Sequence, residues 1–137
     1  MADITVTATS VVKGSGAIIN KERVAGETIT AGMPVYLKSS DNKWWKSQSD
    51  GTAAEADAQG IALHAASADQ PLAVQTGGSI TIGATILAGV FYYVSNTAGG
   101  ICPVADLGTA DYVTVIGYGT TTALMTVQPL ATGVVLA

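Results

Sequence analysis

The chain has 137 residues, of which 48% are hydrophobic and only 12% are charged, and its formal net charge is −4. This length suits one domain, and the apolar runs are too short for the roughly 18 residues that a membrane span needs. A negative charge without clustered Lys and Arg argues against nucleic-acid binding, and the low charged fraction predicts that a protein partner covers part of the surface.

The N-terminal segment, residues 3–12, alternates apolar residues with threonine in the period-two pattern of a β-strand. Residues 13–16 interrupt this pattern and lack the spacing of a phosphate-binding loop. The charge cluster at 20–23 is more typical of a solvated loop than of a salt-bridged interface. We therefore predict a β-prone N-terminal arm over residues 1–25 and a single β domain over residues 26–137.

Short strands are predicted at 27–30, 34–38 and 43–46, and the last of these contains Trp44 and Trp45. Neighbouring residues of a strand point to opposite faces, so only one of the two tryptophans can face the core. The other is predicted to lie exposed or at an interface.

One short helical turn is predicted near residues 52–58. Thr52 and Glu55 have the spacing of a capping box, in which each side chain satisfies a free backbone amide at a helix start. The acidic residues around this turn do not have the spacing of a calcium-binding loop, so we predict no metal site.

The second half of the chain is predicted to form β-strands and apolar runs separated by turns. These segments lie at residues 60–65, 72–75, 79–82, 84–94, 101–104, 112–118, 123–128 and 133–136. Gly77 and Gly78 are predicted to end one block, and residues 119–121 indicate a hairpin. Many short strands at regular spacing predict an all-β fold, a compact β-sandwich or barrel-like domain.

Neither the single histidine nor the single cysteine indicates catalysis. His64 has Ser67 and Asp69 nearby, but a triad needs three groups that converge in space, and a histidine at the end of an apolar strand is ordinary. Cys102 cannot form an intrachain disulfide and is predicted to be a small buried hydrophobe. We predict no enzyme activity and no cofactor.

The most specific feature is the order of motifs between residues 31 and 82. The order is MPVYL at 33–37, KW at 43–44, DGT at 50–52, GIALHAASADQ at 60–70 and TGG at 76–78. Together these motifs resemble the lambda-type head decoration proteins of tailed bacteriophages, over a little more than a third of the chain. The runs YYVS at 92–95 and DYVTVIG at 111–117 are similar to small phage head proteins of the same broad kind.

The resemblance implies a compact, mostly β (β-tulip-like) subunit that forms a homotrimer on the outer surface of the virion. There it would bind the major capsid protein and stabilise the head against the pressure of packaged DNA. In that family an N-terminal arm pairs with a capsid strand, and an unpaired β-prone segment suits strand addition. The candidates for this contact are Ile4, Thr5, Val6, Thr7, Val11 and Val12.

The interface candidates among the aromatic residues are Trp44, Trp45 and Tyr92. An exposed indole can also stack on a sugar ring, so the alternative function is a phage fibre or surface carbohydrate-binding module. Low charge favours burial against protein over glycan binding. The N-terminus lacks the pattern of a secretory signal, which predicts synthesis in the host cytoplasm, with no membrane partner.

Overall fold

Ten antiparallel strands provide most of the regular structure of residues 3–136, the part of the chain that this computed structural model describes. The strands are β1 (Val12–Lys13), β2 (Ile18–Asn20), β3 (Pro34–Leu37), β4 (Trp44–Lys46), β5 (Gly60–Ala62), β6 (Val74–Thr81), β7 (Phe91–Val94), β8 (Ile101–Pro103), β9 (Tyr112–Gly119) and β10 (Leu124–Val135). Strands account for 41% of the structure and helix for 7%, which confirms the all-β prediction. The sheet is curled into a half-barrel.

β6 joins the two halves of this sheet, whose strand order is β4-β3-β5-β6-β10-β9-β7-β8. On one side, the first part of β6 pairs with β5 and the later part pairs with β10. On the other side, β2 and then β1 run antiparallel along it. The change of partner lies near Gly78, which has a left-handed φ of +84°, and a Cβ on Gly78 would collide with the carbonyl oxygen of Gly16.

The buried apolar side chains form two clusters, one in each half of the sheet. Side chains alternate between the two faces of a strand, so a strand with one covered face contributes every second residue, as β10 does with Met125 and Val127. The first cluster includes Ile80, Ile82, Tyr92, Val94, Ile116, Met125 and Val127. The second cluster includes Ala25, Ile29, Val35, Trp44, Ala62, Leu72 and Val74.

The predicted N-terminal strand is wrong in extent. Residues 3–7 belong to no strand, a 3-10 turn covers Ala8–Ser10, and pairing with β6 starts only at β1. An alternating pattern makes a segment fit for a strand, but a strand forms only where a partner edge lies beside it. The predicted boundary at residue 25 does not separate two units, because β1 and β2 belong to the common sheet and Ala25 is fully buried.

Hydrogen bonds and apolar contacts hold the segment before β1 on the domain. The amide of Ile4 donates to the carbonyl oxygen of Ile101 at 2.9 Å, and the amide of Thr7 donates to that of Gly83 at 2.7 Å. The side chains of Ile4 and Val6 pack against the first cluster. This segment is therefore part of the folded domain rather than a free arm.

The predicted helical turn is confirmed as α1 (Ala53–Ala56). The amide of Glu55 donates to the Thr52 hydroxyl at 3.2 Å, and the amide of Thr52 donates to the Glu55 carboxylate at 3.1 Å, which completes the capping box. Among the described residues, no helix is long and apolar enough to cross a membrane.

Several other predicted strands differ in extent. β6 continues through the glycine pair that was expected to end a block, and β10 joins the predicted strands at 123–128 and 133–136. By contrast, the apolar run at 84–94 forms a strand only over β7, and residues 27–30 contribute a single isolated bridge.

Candidate functional site

The charged residues of the chain are unevenly distributed along it. All six Lys and Arg lie between residues 13 and 46, and after Asp69 the sequence contains only Asp106 and Asp111 as charged residues. β9 and β10 therefore carry no charge at all. A surface built from these strands can be recognised by apolar contacts and hydrogen bonds, but not by ion pairs.

Five uncharged side chains lie on the face of β7, β9 and β10 that points away from the core. The register places Leu130 opposite Val115, and Val115 opposite Tyr93, so these three form a row across three strands. Phe91 lies opposite Tyr118, and the two rings meet edge to face with centroids 5.7 Å apart. We call these residues the outer aromatic face: Phe91, Tyr93, Val115, Tyr118 and Leu130.

The outer aromatic face is accessible to a partner. Phe91 is 52% exposed and Leu130 is 58% exposed, and both line a groove together with Tyr93, Val115 and Gln128. Single exposed apolar residues are ordinary on a protein surface, whereas a contiguous group of them marks an interaction site. This face is the strongest candidate for an interface in the described chain.

The edge of β10 beside this face is open over part of its length. Among residues 3–136, β6 follows β10 only from Leu124 to Val127, and the remainder of β10 pairs with β9 alone. Pro129 lies at a register shift, after which Leu130 and Ala131 resume their pairing with β9. An unpaired edge presents backbone donors and acceptors to another strand.

The two tryptophans have different environments, as the alternation of a strand predicts. Trp44 is 2% exposed and belongs to the second cluster. Trp45 is partly exposed, but its indole N–H donates to the carboxylate of Asp41 at 3.2 Å, and the ammonium of Lys38 lies 4.3 Å from its ring centroid. Contacts within the chain therefore already engage the ring of Trp45.

Tyr92 is not a surface residue, which corrects the prediction of an interface role. It is 4% exposed, packs in the first cluster, and its hydroxyl accepts a hydrogen bond from the amide of Leu87 at 2.9 Å. Its neighbours Phe91 and Tyr93 point outward instead. An aromatic triplet indicates a strand, but it carries no information about which face of that strand is covered.

The six N-terminal candidates divide into exposed and inward-facing residues. Ile4 and Val6 pack against the first cluster, and Val11 is 8% exposed, so these three side chains already serve the core. The exposed candidates are Thr5, Thr7 and Val12.

β1 and β2 form an outer edge of the sheet, which we call the β1–β2 edge (residues 12–20). One side of it follows β6, and no described strand pairs with its other side. Val12 is 56% exposed and Ile18 is 64% exposed along it. Of the N-terminal region, this edge is the part best suited to strand addition.

The geometry around His64 does not form a catalytic triad. Nε2 accepts a hydrogen bond from the amide of Ala73 at 3.0 Å, and Nδ1 lies 3.0 Å from the carbonyl oxygen of Ala65. A ring nitrogen that accepts a hydrogen bond from an amide carries no proton, so in this arrangement Nδ1 is the donor of the ring. Both ring nitrogens are used by the backbone, so neither is directed to Ser67 or Asp69.

Cys102 is fully buried, which confirms its prediction as a small buried hydrophobe. Burial raises the pKa of its thiol to about 12, and the negative charge of Asp3 acts in the same direction. The thiol is therefore protonated at neutral pH and is a poor nucleophile. Among the described residues, no three His, Cys, Asp or Glu side chains are grouped so that they could hold a metal ion.

No protein-family model matches this chain, and a search of curated proteins found no match to it. A proposal for its function therefore rests on the ordered motifs at residues 31–82 and on the surfaces of the fold. Two of these surfaces combine exposed apolar side chains with an unpaired strand edge: the outer aromatic face beside β10, and the β1–β2 edge.

Proposed function

We propose that this protein is a non-enzymatic structural protein of a tailed-phage virion, a decoration protein that binds the outer surface of the head and stabilises it. The motifs at residues 31–82 support the family, and the homotrimer follows from that resemblance. The structural observation that carries the proposal is the uncharged outer aromatic face, with Phe91 and Leu130 more than half exposed. Burial of such a face against protein removes apolar area from water, so the protein gains stability by assembling.

The β1–β2 edge is our candidate for the contact with the major capsid protein. A strand of the capsid protein added to this edge would form backbone hydrogen bonds along residues 12–20, and Val12 and Ile18 would supply apolar contacts. Lys21, Glu22 and Arg23 are exposed just beyond β2. Charges at the rim of an interface govern the rate of association and the choice of partner more than the affinity.

The direct test uses expanded heads that lack a decoration protein, prepared from the phage that encodes this chain. We expect saturable binding of the purified protein and a higher temperature at which the heads rupture, with undecorated heads as the control. Heads that do not bind the protein, or that bind it without becoming more heat-resistant, would refute the proposal.

A substitution on the β1–β2 edge tests the assigned contact. We expect Val12→Lys to weaken head binding by at least about tenfold, because a lysine would have to lose water where Val12 makes an apolar contact. Leu87→Lys is the matched control, since Leu87 is 63% exposed and lies outside this edge. Equal affinities of the two variants, measured by co-sedimentation with heads, would exclude the β1–β2 edge as the contact.

The alternative, a fibre or carbohydrate-binding module, depends on a free aromatic platform. Trp45 is the more exposed of the two tryptophans, and its engagement by Asp41 and Lys38 leaves less of the ring for a sugar. A glycan array distinguishes the two functions. Saturable sugar binding that is lost in Trp45→Ala would favour the alternative over the decoration protein.

A further inference from the structure

We infer that the outer aromatic face and the open edge of β10 form the contact between copies of this chain. The inference rests on the proposed function, which calls for several copies but does not say which surface joins them. The occupant of the groove between Phe91 and Leu130 is therefore a second copy of the same protein.

The absence of charge limits what can cover this face. A nucleic acid, or a strongly charged protein surface, would lose the hydration of its charges on docking and find no opposite charge on β9 or β10. A second copy brings the same uncharged strands. A second copy therefore offers an uncharged surface that matches the lack of charge on this face.

The open edge of β10 extends the contact from side chains to the backbone. Soluble proteins protect exposed edges with lysine, proline or bulges, and β10 contains no lysine. Pro129 and the register shift protect one point, but Leu130, Val134 and Val135 remain 58%, 58% and 43% exposed along the same strand. A strand edge of this kind is an aggregation site unless an assembly covers it.

The arrangement suits a closed ring of copies. In a ring of three, each contact joins two different patches of the subunit, so one patch of each copy meets the other patch of the next. The open edge of β10 supplies backbone groups and the outer aromatic face beside it supplies apolar side chains, so one contact can combine strand pairing with apolar packing.

The test is a matched pair of lysine substitutions at positions of similar exposure. Leu130 is 58% exposed and Leu87 is 63% exposed, so both variants place a charge at the surface, and neither removes a core residue. Mass is measured by light scattering and sedimentation over a range of protein concentrations. We expect about three subunits for the unaltered protein and for Leu87→Lys, and a self-association that is about 10- to 100-fold weaker for Leu130→Lys.

Folding is checked in the same samples by near-ultraviolet circular dichroism and by the urea midpoint. If Leu130→Lys fails to fold, Leu130→Ala gives the same test in milder form, because it removes apolar contact without adding charge. A mass that is unchanged in the folded Leu130 variant would overturn the inference. So would an unaltered protein that stays monomeric at every concentration tested and on heads.

The outcomes separate this inference from the proposed function. An unaltered protein that is monomeric in solution and on heads, yet binds and stabilises them, overturns the inference and leaves the proposed function standing. Assembly that is lost in Leu130→Lys, by a protein that never binds heads, supports the inference and refutes the proposed function.

Discussion

Adjacent aromatic residues in this protein have opposite environments. Trp44 fills the second cluster while Trp45 lies at the surface, and Tyr92 fills the first cluster while Phe91 and Tyr93 face outward. Residue type is enough to predict that these segments are strands. The side of the strand that is covered depends on the rest of the sheet, so the sequence does not distinguish Tyr92 from its outward-facing neighbours.

Replacement of each tryptophan by alanine measures this difference. We expect Trp44→Ala to lower the free energy of unfolding by about 3–5 kcal/mol, because it leaves a cavity in the second cluster. Trp45→Ala loses one hydrogen bond and a partly exposed ring, which we expect to cost about 1 kcal/mol. Urea denaturation of both variants provides the measurement, and losses of equal size would contradict the assignment of Trp44 to the core.

At the scale of elements, the sequence predicts best the structures that are complete within a few residues. The capping box at α1 and the hairpin between β9 and β10 are local, and both are confirmed. The prediction of a strand over residues 3–12 is wrong in extent. Strand formation needs a partner edge, and that edge, β6, lies far away in the sequence. β6 passes through Gly77 and Gly78 because strands on both sides hold it there, and no window of sequence contains those neighbours.

Gly78 is the position where β6 depends most on glycine. Gly78→Ala combines a left-handed φ of +84° with a collision against the carbonyl oxygen of Gly16, and we expect it to lower the free energy of unfolding by more than about 2 kcal/mol. Gly89→Ala is the matched control, since Gly89 has a φ of +77° and open space around it. We expect a loss of about 1 kcal/mol there. Equal urea midpoints for the two variants would show that the contact with Gly16 does not constrain β6.

At the scale of the whole molecule, the two clusters are linked through two shared strands. β6 contributes Val74 to the second cluster and Ile80 to the first, and β5 contributes Ala62 to the second and Ile61 to the first. Loss of either half would remove a partner of β6 and expose the other half. We therefore expect the halves to unfold together.

Two residues already in the chain report on the two halves. With Trp45 replaced by phenylalanine, Trp44 fluorescence follows the second cluster, and labelling of the Cys102 thiol follows β8, in the half that contains the first cluster. A folded-state thiol pKa of about 12, above the ordinary value of 9.0, keeps Cys102 protonated at pH 8, and this contribution to stability is lost only as pH rises from about 9 towards 12. At pH 8 we expect both signals to change at the same urea concentration. Separate midpoints would show that the halves unfold independently.

The candidate surfaces lie mostly outside the stretch that resembles the decoration proteins. The low charged fraction predicts that some surface is covered by protein, and the fold adds where such a surface lies, because the uncharged strands β9 and β10 stand side by side with β7. Residues 93, 115 and 130 become neighbours only through the register of these strands. Sequence spacing alone gives no sign of that proximity.

Because β6 pairs with strands on both of its sides, it also determines how the molecule resists a mechanical load. A strand at an edge can peel away one hydrogen bond at a time, whereas β6 leaves the sheet only if the ladders on both of its sides break. A pull on β1 and β2 would therefore detach that edge first and stop at β6, with both clusters intact. In the proposed contact with a capsid protein, the edge would therefore yield before the rest of the subunit does, and a detached edge could pair again once the load is removed.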